Sequence, residues 1–373
     1  MDTPVILHHA QYTPEQLTQF KQSATWKTTD LYQRQLKDLF SVLHPDLHGD
    51  TSDTFEKFAR EYAAQNPESS GDWVYYPWSG EMIHTIKLSD IVLLRTNRNR
   101  ELISLAEQAT LKSASIAIAG LSVGGGIAAG FAYAGIGAEF HLADFDELET
   151  SNLNRVQARL GEVGLPKLQI VARKIWEIDP EARIQGSDQP ITGDTIGEFL
   201  GGLHPVNIIF DEVDDFKLKI QLRLAAKRLE RPLVMMTALG DSVLIDIERY
   251  DTQPDTKIFN GLIGDLDEHM LNGEITKDDE RRFAAQTVGI QNVPTRALES
   301  LIQMGKALVG RPQLGSTVQA EAALGVFVAR KILLGEAILS GRYRVDFNDI
   351  VELGSDVTDS EQRQTALKTL FNR

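Results

Sequence analysis

Three short stretches of this chain carry residue types that handle phosphate. The first is Gly-Leu-Ser-Val-Gly-Gly, from Gly120 to Gly125, directly after the apolar run Ile116 to Ala119. A strand leading into a glycine turn and then a helix directs free backbone N–H groups at phosphate oxygens. Gly120 permits the tight turn, Gly124 and Gly125 open the helix, and Ser122 stands where a second glycine is usual. The second stretch is Ala143-Asp144-Phe145-Asp146, about two dozen residues on, where a carboxylate at a strand end accepts hydrogen bonds from a ribose. The third holds Asn152 and Arg155 in Ser-Asn-Leu-Asn-Arg and Lys167 in Gly-Leu-Pro-Lys. A dinucleotide site needs only the first two stretches. Arginine grips phosphate through a planar fork and lysine acts as a point charge. Together they suit a triphosphate whose leaving oxygens need neutralising.

A further acidic run, Asp211 to Asp215, follows the apolar segment Val206 to Phe210. It therefore projects from the carboxyl edge of a sheet, where one carboxylate can hold Mg²⁺ against phosphates. Asp214 is the chosen ligand, and Asp215 is an alternative helix cap. Each of these residues also has a plainer reading. The glycine turn fits an ordinary dehydrogenase fold or close helix packing, and arginines and lysines are common on surfaces. Asp144 is read as the ribose ligand; Asp146 is a further nucleotide-binding candidate whose plainer reading, like that of Glu147, is a solvated acid.

The elements that must position these groups alternate from about Leu102 onward. Strands are expected at Ile116–Ala119, Phe140–Asp144, Val206–Phe210 and Leu233–Thr237. Helices are expected at Gly124–Gly135, Pro166–Ile178 and Lys217–Leu229. This rhythm predicts an α/β fold, a Rossmann-like and mostly parallel sheet with helices on both faces. Val243–Tyr250 reads as an added strand, residues 252 to 312 as a crossover with short helices, Val318–Leu334 as a long apolar helix, and Tyr343–Phe347 as a closing strand. Residues 1–95 read as a small N-terminal α+β region, a possible site for substrate or peptide, and 96–373 as the nucleotide domain. In the N-terminal region a helix is expected at Thr29–Leu43, a second at Thr54–Ala64, and a hairpin at Trp73–Ile86. Trp73, Tyr75, Tyr76 and Trp78 offer a peptide groove, but at hairpin spacing core and cross-strand packing is the preferred reading. His8, His9 and His84 have no motif around them.

Bulk properties narrow the function. The 373 residues carry a formal net charge of −15, which opposes a duplex nucleic-acid partner. There is no cysteine, which excludes disulfides, cysteine zinc sites and any thioester or persulfide on this chain. The N-terminus lacks the pattern of a signal peptide, and the apolar stretch Ile116 to Ile136 is too broken by glycine to span a membrane. A cytoplasmic protein with no membrane partner is expected.

Taken together, Gly-x-Ser-x-x-Gly, Asp-x-Asp, Ser-Asn-Leu-Asn-Arg, Gly-x-Pro-Lys, Ile-Asp-Pro and Asp-x-x-Asp resemble the ThiF/MoeB adenylating family, over roughly Asn97 to Phe347. The resemblance implies an ATP-dependent, Mg²⁺-dependent adenylyltransferase that activates a carboxylate, commonly a peptide C-terminus. It implies that Asp144 binds ribose, that Asn152, Arg155 and Lys167 bind and polarise the phosphates, and that Asp214 holds magnesium. It also implies a homodimer and an arginine ahead of the first strand that reaches the γ-phosphate, for which Arg98 is chosen over Arg100. The missing cysteines depart from the usual thiol relay and zinc pairs, so no zinc is expected. They place the chain nearest in logic to cysteine-free microcin C-type and pantocin A-type enzymes of natural-product biosynthesis. The expected substrate is a carboxylate of a peptide or small protein, captured after activation by a nucleophile that is not an enzyme thiol. A nicotinamide-dependent oxidoreductase and a non-catalytic nucleotide- or peptide-binding module remain as alternatives.

Overall fold

The computed structural model describes residues 1–9, 11–24, 26–49, 53–63, 70–264, 276–351 and 360–371. The chain divides into two compact units, one of residues 1–112 with 132–135 and 172–182, the other of the remainder.

The larger unit is built on a seven-stranded sheet. Its strands are β5 (Ser115–Ala119), β6 (Glu139–Ala143), β7 (Arg183–Ser187), β8 (Ile208–Asp211), β9 (Pro232–Leu239), β10 (Ser242–Arg249) and β11 (Gly341–Asp346), numbered after four in the smaller unit. The spatial order is β11-β10-β9-β8-β5-β6-β7. Strands β9, β8, β5, β6 and β7 run parallel, and β10 and β11 add antiparallel pairs at one end. The sheet is Rossmann-like: the order reverses between β5 and β8, so their carboxyl ends open a crevice suited to a ligand. Strands β5 and β8 are almost wholly apolar and buried, as central parallel strands must be. β7 has a single large apolar residue, Ile184, and polar neighbours. It lies at the sheet edge, where only part of its surface is covered, so an apolar-run criterion passes over it.

Glycines let the helix after β5 sit close to its neighbours. A Cβ at Gly124 would come within 2.6 Å of Ile118 Cγ2, and one at Gly125 within 2.8 Å of Val171 Cγ2. Farther along, Gly126 and Gly130 meet Ala322 and Val326 of the long helix Gly315–Leu333 in the same way. Of the expected crossover, the described parts hold helices Lys277–Val288 and Thr295–Gln303.

The smaller unit has a four-stranded sheet of β1 (Val5–Leu7), β2 (Lys27–Asp30), β3 (Asp72–Tyr76) and β4 (Glu81–Thr85), in the order β1-β3-β4-β2. β3 and β4 form the expected hairpin. Helix Tyr32–Leu43 buries Tyr32, Leu36, Leu39 and Phe40, the face its periodicity marks. It begins later than Thr29 because residues 27–30 pair in parallel with β4, and the Asp30 carboxylate accepts the Tyr32 N–H (3.0 Å) where the chain turns. Trp73 stacks on His84, with ring centroids 4.2 Å apart, and Tyr75 meets Phe20 edge-on. The Tyr76 hydroxyl donates to the Trp176 carbonyl, and the Trp78 indole to Glu177. The aromatic side chains of the hairpin are thus engaged in packing within this unit, and the His84 ring bonds Asp30 and the Ser70 carbonyl.

Candidate nucleotide site

The site starts at the end of β5. Gly120 has φ +88°, and a Cβ there would overlap the Glu212 carbonyl, so only glycine fits. Its N–H donates to the Ala143 carbonyl, which ties the turn to β6. The next N–H, of Leu121, donates to Asp144 Oδ2 (2.7 Å), while Asp144 Oδ1 accepts the Asp146 N–H (2.9 Å). Asp144 therefore fixes the turn and its own loop together, and each oxygen keeps acceptor capacity for a further donor. Ser122 lies half-buried in the turn.

Asp146 continues this network. One of its oxygens meets Lys167 Nζ at 2.8 Å, and its carbonyl accepts the Lys167 N–H. Lys167 opens helix Lys167–Ile178 with its side chain nearly covered, whereas Asp146 is 55% exposed. A contiguous chain of bonds thus runs from the glycine turn through two carboxylates to a lysine.

Asn152 is buried in the 3₁₀ turn Thr150–Asn154, where its side-chain oxygen accepts the Glu149 N–H (3.1 Å) and closes the loop. That loop presents Arg155. Arg155 donates to Asn154 Oδ1 (2.9 Å) and to the Ser151 carbonyl (3.3 Å), and its Nε is buried with no hydrogen-bond partner. Its pKa is lowered, first by burial and then by the charge of Arg311, with Asp214 and Glu149 opposing.

The acidic run after β8 sorts itself by burial. Asp211 is fully buried and pairs with Arg223 and Lys219. Glu212 accepts the Met236 N–H (3.0 Å). Asp215 caps helix Phe216–Arg228 by accepting the Leu218 N–H (2.6 Å). Asp214 is fully exposed and makes no cap, with Arg311 4.0 Å away. Among the described residues no cluster of three or more His, Cys, Asp or Glu is arranged to hold a metal. Magnesium does not need one, because it is commonly held by one or two carboxylates together with phosphate and water oxygens. A lone exposed Asp214 fits that requirement.

Arg98 and Arg100 lie exposed in and after the turn Asn97–Asn99 of the smaller unit. Two residues of the larger unit lie outside the motifs, Arg311 and Glu321. Glu321 is fully buried on helix Gly315–Leu333, and neither of its oxygens has a hydrogen-bond partner. Its signal in the sequence is an acid among Val318, Ala322 and Gly325, on the apolar side of that helix. Arg311 has no comparable signal.

A glycine turn at the reversal point of a Rossmann-like sheet, with cations on the adjoining loops, defines a nucleotide-binding protein. Residues 95–345 match the ThiF family, and the chain belongs to that family. It is 37% identical over 279 residues to an uncharacterized protein, MT1398, of Mycobacterium tuberculosis, covering 75% of this chain and 38% of that protein. It is 30% identical to tRNA threonylcarbamoyladenosine dehydratase of Escherichia coli, over 35% of this chain and 48% of the relative. It is 26% identical to the sulfur carrier protein ThiS adenylyltransferase of Escherichia coli, over 37% of this chain and 54% of the relative. The matches span 38% to 54% of these relatives' lengths. Among the described residues no helix is long and apolar enough to cross a membrane.

Proposed function

We propose that the protein is an ATP- and Mg²⁺-dependent enzyme that adenylates a carboxylate on a peptide or small protein. The observation that carries this reading is the bonded path from the Leu121 N–H through Asp144 and Asp146 to Lys167. It links a phosphate-binding turn to a cation already placed on its flank. A nicotinamide dinucleotide needs only the glycine turn and the ribose carboxylate, so it does not call for both Lys167 and Arg155. The adenylyltransferase name of one relative agrees with the proposal.

In this reading the glycine turn and Asp144 seat the nucleoside. Asn152 holds the loop that presents Arg155. Arg155 and Lys167 hold the phosphate oxygens on which charge builds as the substrate carboxylate attacks the α-phosphorus and pyrophosphate departs. Arg98 is the candidate for the γ-phosphate, and a homodimer belongs to the same proposal. Asp214 would hold Mg²⁺, which supplies charge neutralisation along the phosphates. The chain offers no thiol to receive the activated acyl group, so the acceptor is a nucleophile of the substrate or of another molecule. The charge of −15 favours a peptide over a nucleic-acid substrate. The test is ATP–pyrophosphate exchange with candidate peptide carboxylates, comparing wild type with Asp214→Ala. Exchange that requires the peptide and falls in the variant supports the proposal. Exchange in the variant at the wild-type rate and Mg²⁺ dependence overturns the metal assignment. No exchange with any carboxylate, despite ATP binding, overturns the activity.

A further inference from the structure

The loop before helix Gly315–Leu333 is fastened to the loop that carries Arg155. Asn154 Nδ2 donates to the Gln313 carbonyl (2.9 Å), and a Cβ at Gly315 would overlap the Asn154 carbonyl. This contact sets the loop that carries Arg311 against the loop that carries Arg155, and the charge of Arg311 adds to the burial that lowers the Arg155 pKa. Two arginines thus stand on loops fastened to one another at the edge of the candidate site. The Arg155 Nε is covered and unpartnered, while Arg311 is 53% exposed and faces Asp214 across 4.0 Å, too far for a hydrogen bond. Like charges held together by loop packing favour an anion between them, and a planar fork on each suits a ligand with several oxygens. A lone carboxylate occupies one fork. A polyphosphate, with more oxygens and more charge, occupies both.

We propose that Arg311 and Arg155 form a paired-guanidinium subsite for the pyrophosphate end of a nucleoside triphosphate, with Asp214 as the resting partner of Arg311. When the triphosphate binds, Arg311 exchanges Asp214 for phosphate oxygens, and Asp214 becomes free for a cation. The proposal rests on the adenylation reading for its ligand, and it adds a residue and an exchange of partners that the motifs do not contain.

The test uses the full chain and inorganic tripolyphosphate in Mg²⁺-free buffer, followed by calorimetry, with AMP as the control ligand. Arg311→Ala is expected to weaken tripolyphosphate binding about tenfold, the loss that follows from one charge-assisted contact, and to leave AMP binding unchanged. Arg311→Lys keeps the charge without the fork and falls between the two, and it serves as the second variant if Arg311→Ala does not fold. Asp214→Asn frees Arg311, so it binds tripolyphosphate more tightly than wild type, and the gain disappears in the Asp214→Asn/Arg311→Ala double variant. Equal tripolyphosphate affinity for wild type and Arg311→Ala overturns the proposal. So does an equal loss of AMP binding, which marks a structural role. ATP–pyrophosphate exchange by the wild type tests the adenylation reading separately. If exchange is present but the Arg311 variants bind tripolyphosphate normally, only the subsite fails. If exchange is absent but the Arg311 effect holds, only the adenylation reading fails.

Discussion

Replacing Glu321 with glutamine is expected to make the protein more resistant to alkaline pH. Glu321 is fully buried, and neither oxygen has a hydrogen-bond partner. Burial pushes its pKa up from the usual 4.5 to about 8, with Arg311 pulling the other way. Glu212 is pushed up as well, by burial and then by Glu321, while Lys219 opposes and Asp211 adds to the rise. Between the ordinary and the raised pKa the folded chain holds a proton that the unfolded chain has lost. Stability therefore falls as pH rises through this window, by about 1.4 kcal/mol per pH unit for one proton. The whole window sets a ceiling of roughly 5 kcal/mol, and relaxation with water entry around a buried carboxylate brings the expectation to about 2–3 kcal/mol. Glu321→Gln keeps the shape and removes the ionisation. Urea unfolding at pH 5 should give two proteins within about 1 kcal/mol of each other, because the wild-type carboxyl is mostly neutral when folded. At pH 9 the wild type should have lost about 2–3 kcal/mol more than the variant. Parallel pH profiles for the two proteins would refute the burial argument, since they would mean that the carboxylate reaches solvent or a counter-ion at little cost.

Further expectations follow from the site. Arg155→Ala should lower ATP–pyrophosphate exchange by about 10²–10³-fold, the usual loss for one group at a developing charge, and an unchanged rate would remove Arg155 from the chemistry. Lys167→Met should lower the exchange rate more than it weakens AMP binding, because the lysine is assigned to the departing phosphates; equal losses in the two assays would contradict that assignment. Gly120→Ala should cost about 2–4 kcal/mol in urea unfolding, from a positive φ together with overlap on the Glu212 carbonyl, and a loss below about 0.5 kcal/mol would show that the turn can move.

Four of the five parallel strands, β5, β6, β8 and β9, were legible because each is a short, mainly apolar run ending near glycine or acid, and the helix Lys167–Ile178 because its apolar residues recur on one face. Polar strands were not. β7 has one large apolar residue, and β2, Lys-Thr-Thr-Asp, has none, so nothing in their local composition separates them from loops. Only their pairing with β6 and β4 makes them strands. For the site, sequence order alone indicated Gly120, Asp144, Arg155, Lys167 and Asp214 as a set. It offered Asp215 as a helix cap, which the structure shows, but it did not separate Asp211 and Glu212 from Asp214, because these differ in burial and not in local pattern. Arg311 was hidden for a different reason. It is separated from Arg155 by more than 150 residues, and the two loops meet through tertiary contacts, Asn154 with Gln313 and Gly315.

The bonds around the glycine turn fall into two kinds, and the difference bears on how the site works. Asp144 and Asn152 use their oxygens on backbone N–H groups, Asp144 on the glycine turn and its own loop and Asn152 on its own loop. Moving either would disturb the backbone, so they suit a frame that has the same shape before and after a ligand arrives. Lys167 and Arg311 are held by carboxylates that are largely open to water, those of Asp146 and Asp214. Breaking the exposed Arg311–Asp214 pair costs little, because water and ions readily replace the partner, whereas the covered Lys167 ammonium gives up Asp146 only to another anion. The cations therefore rest on exchangeable partners against a fixed frame. On the proposed reading a polyphosphate would take Arg311 from a solvated carboxylate without reshaping the loops, and the exchange would leave Asp214 for a hydrated cation.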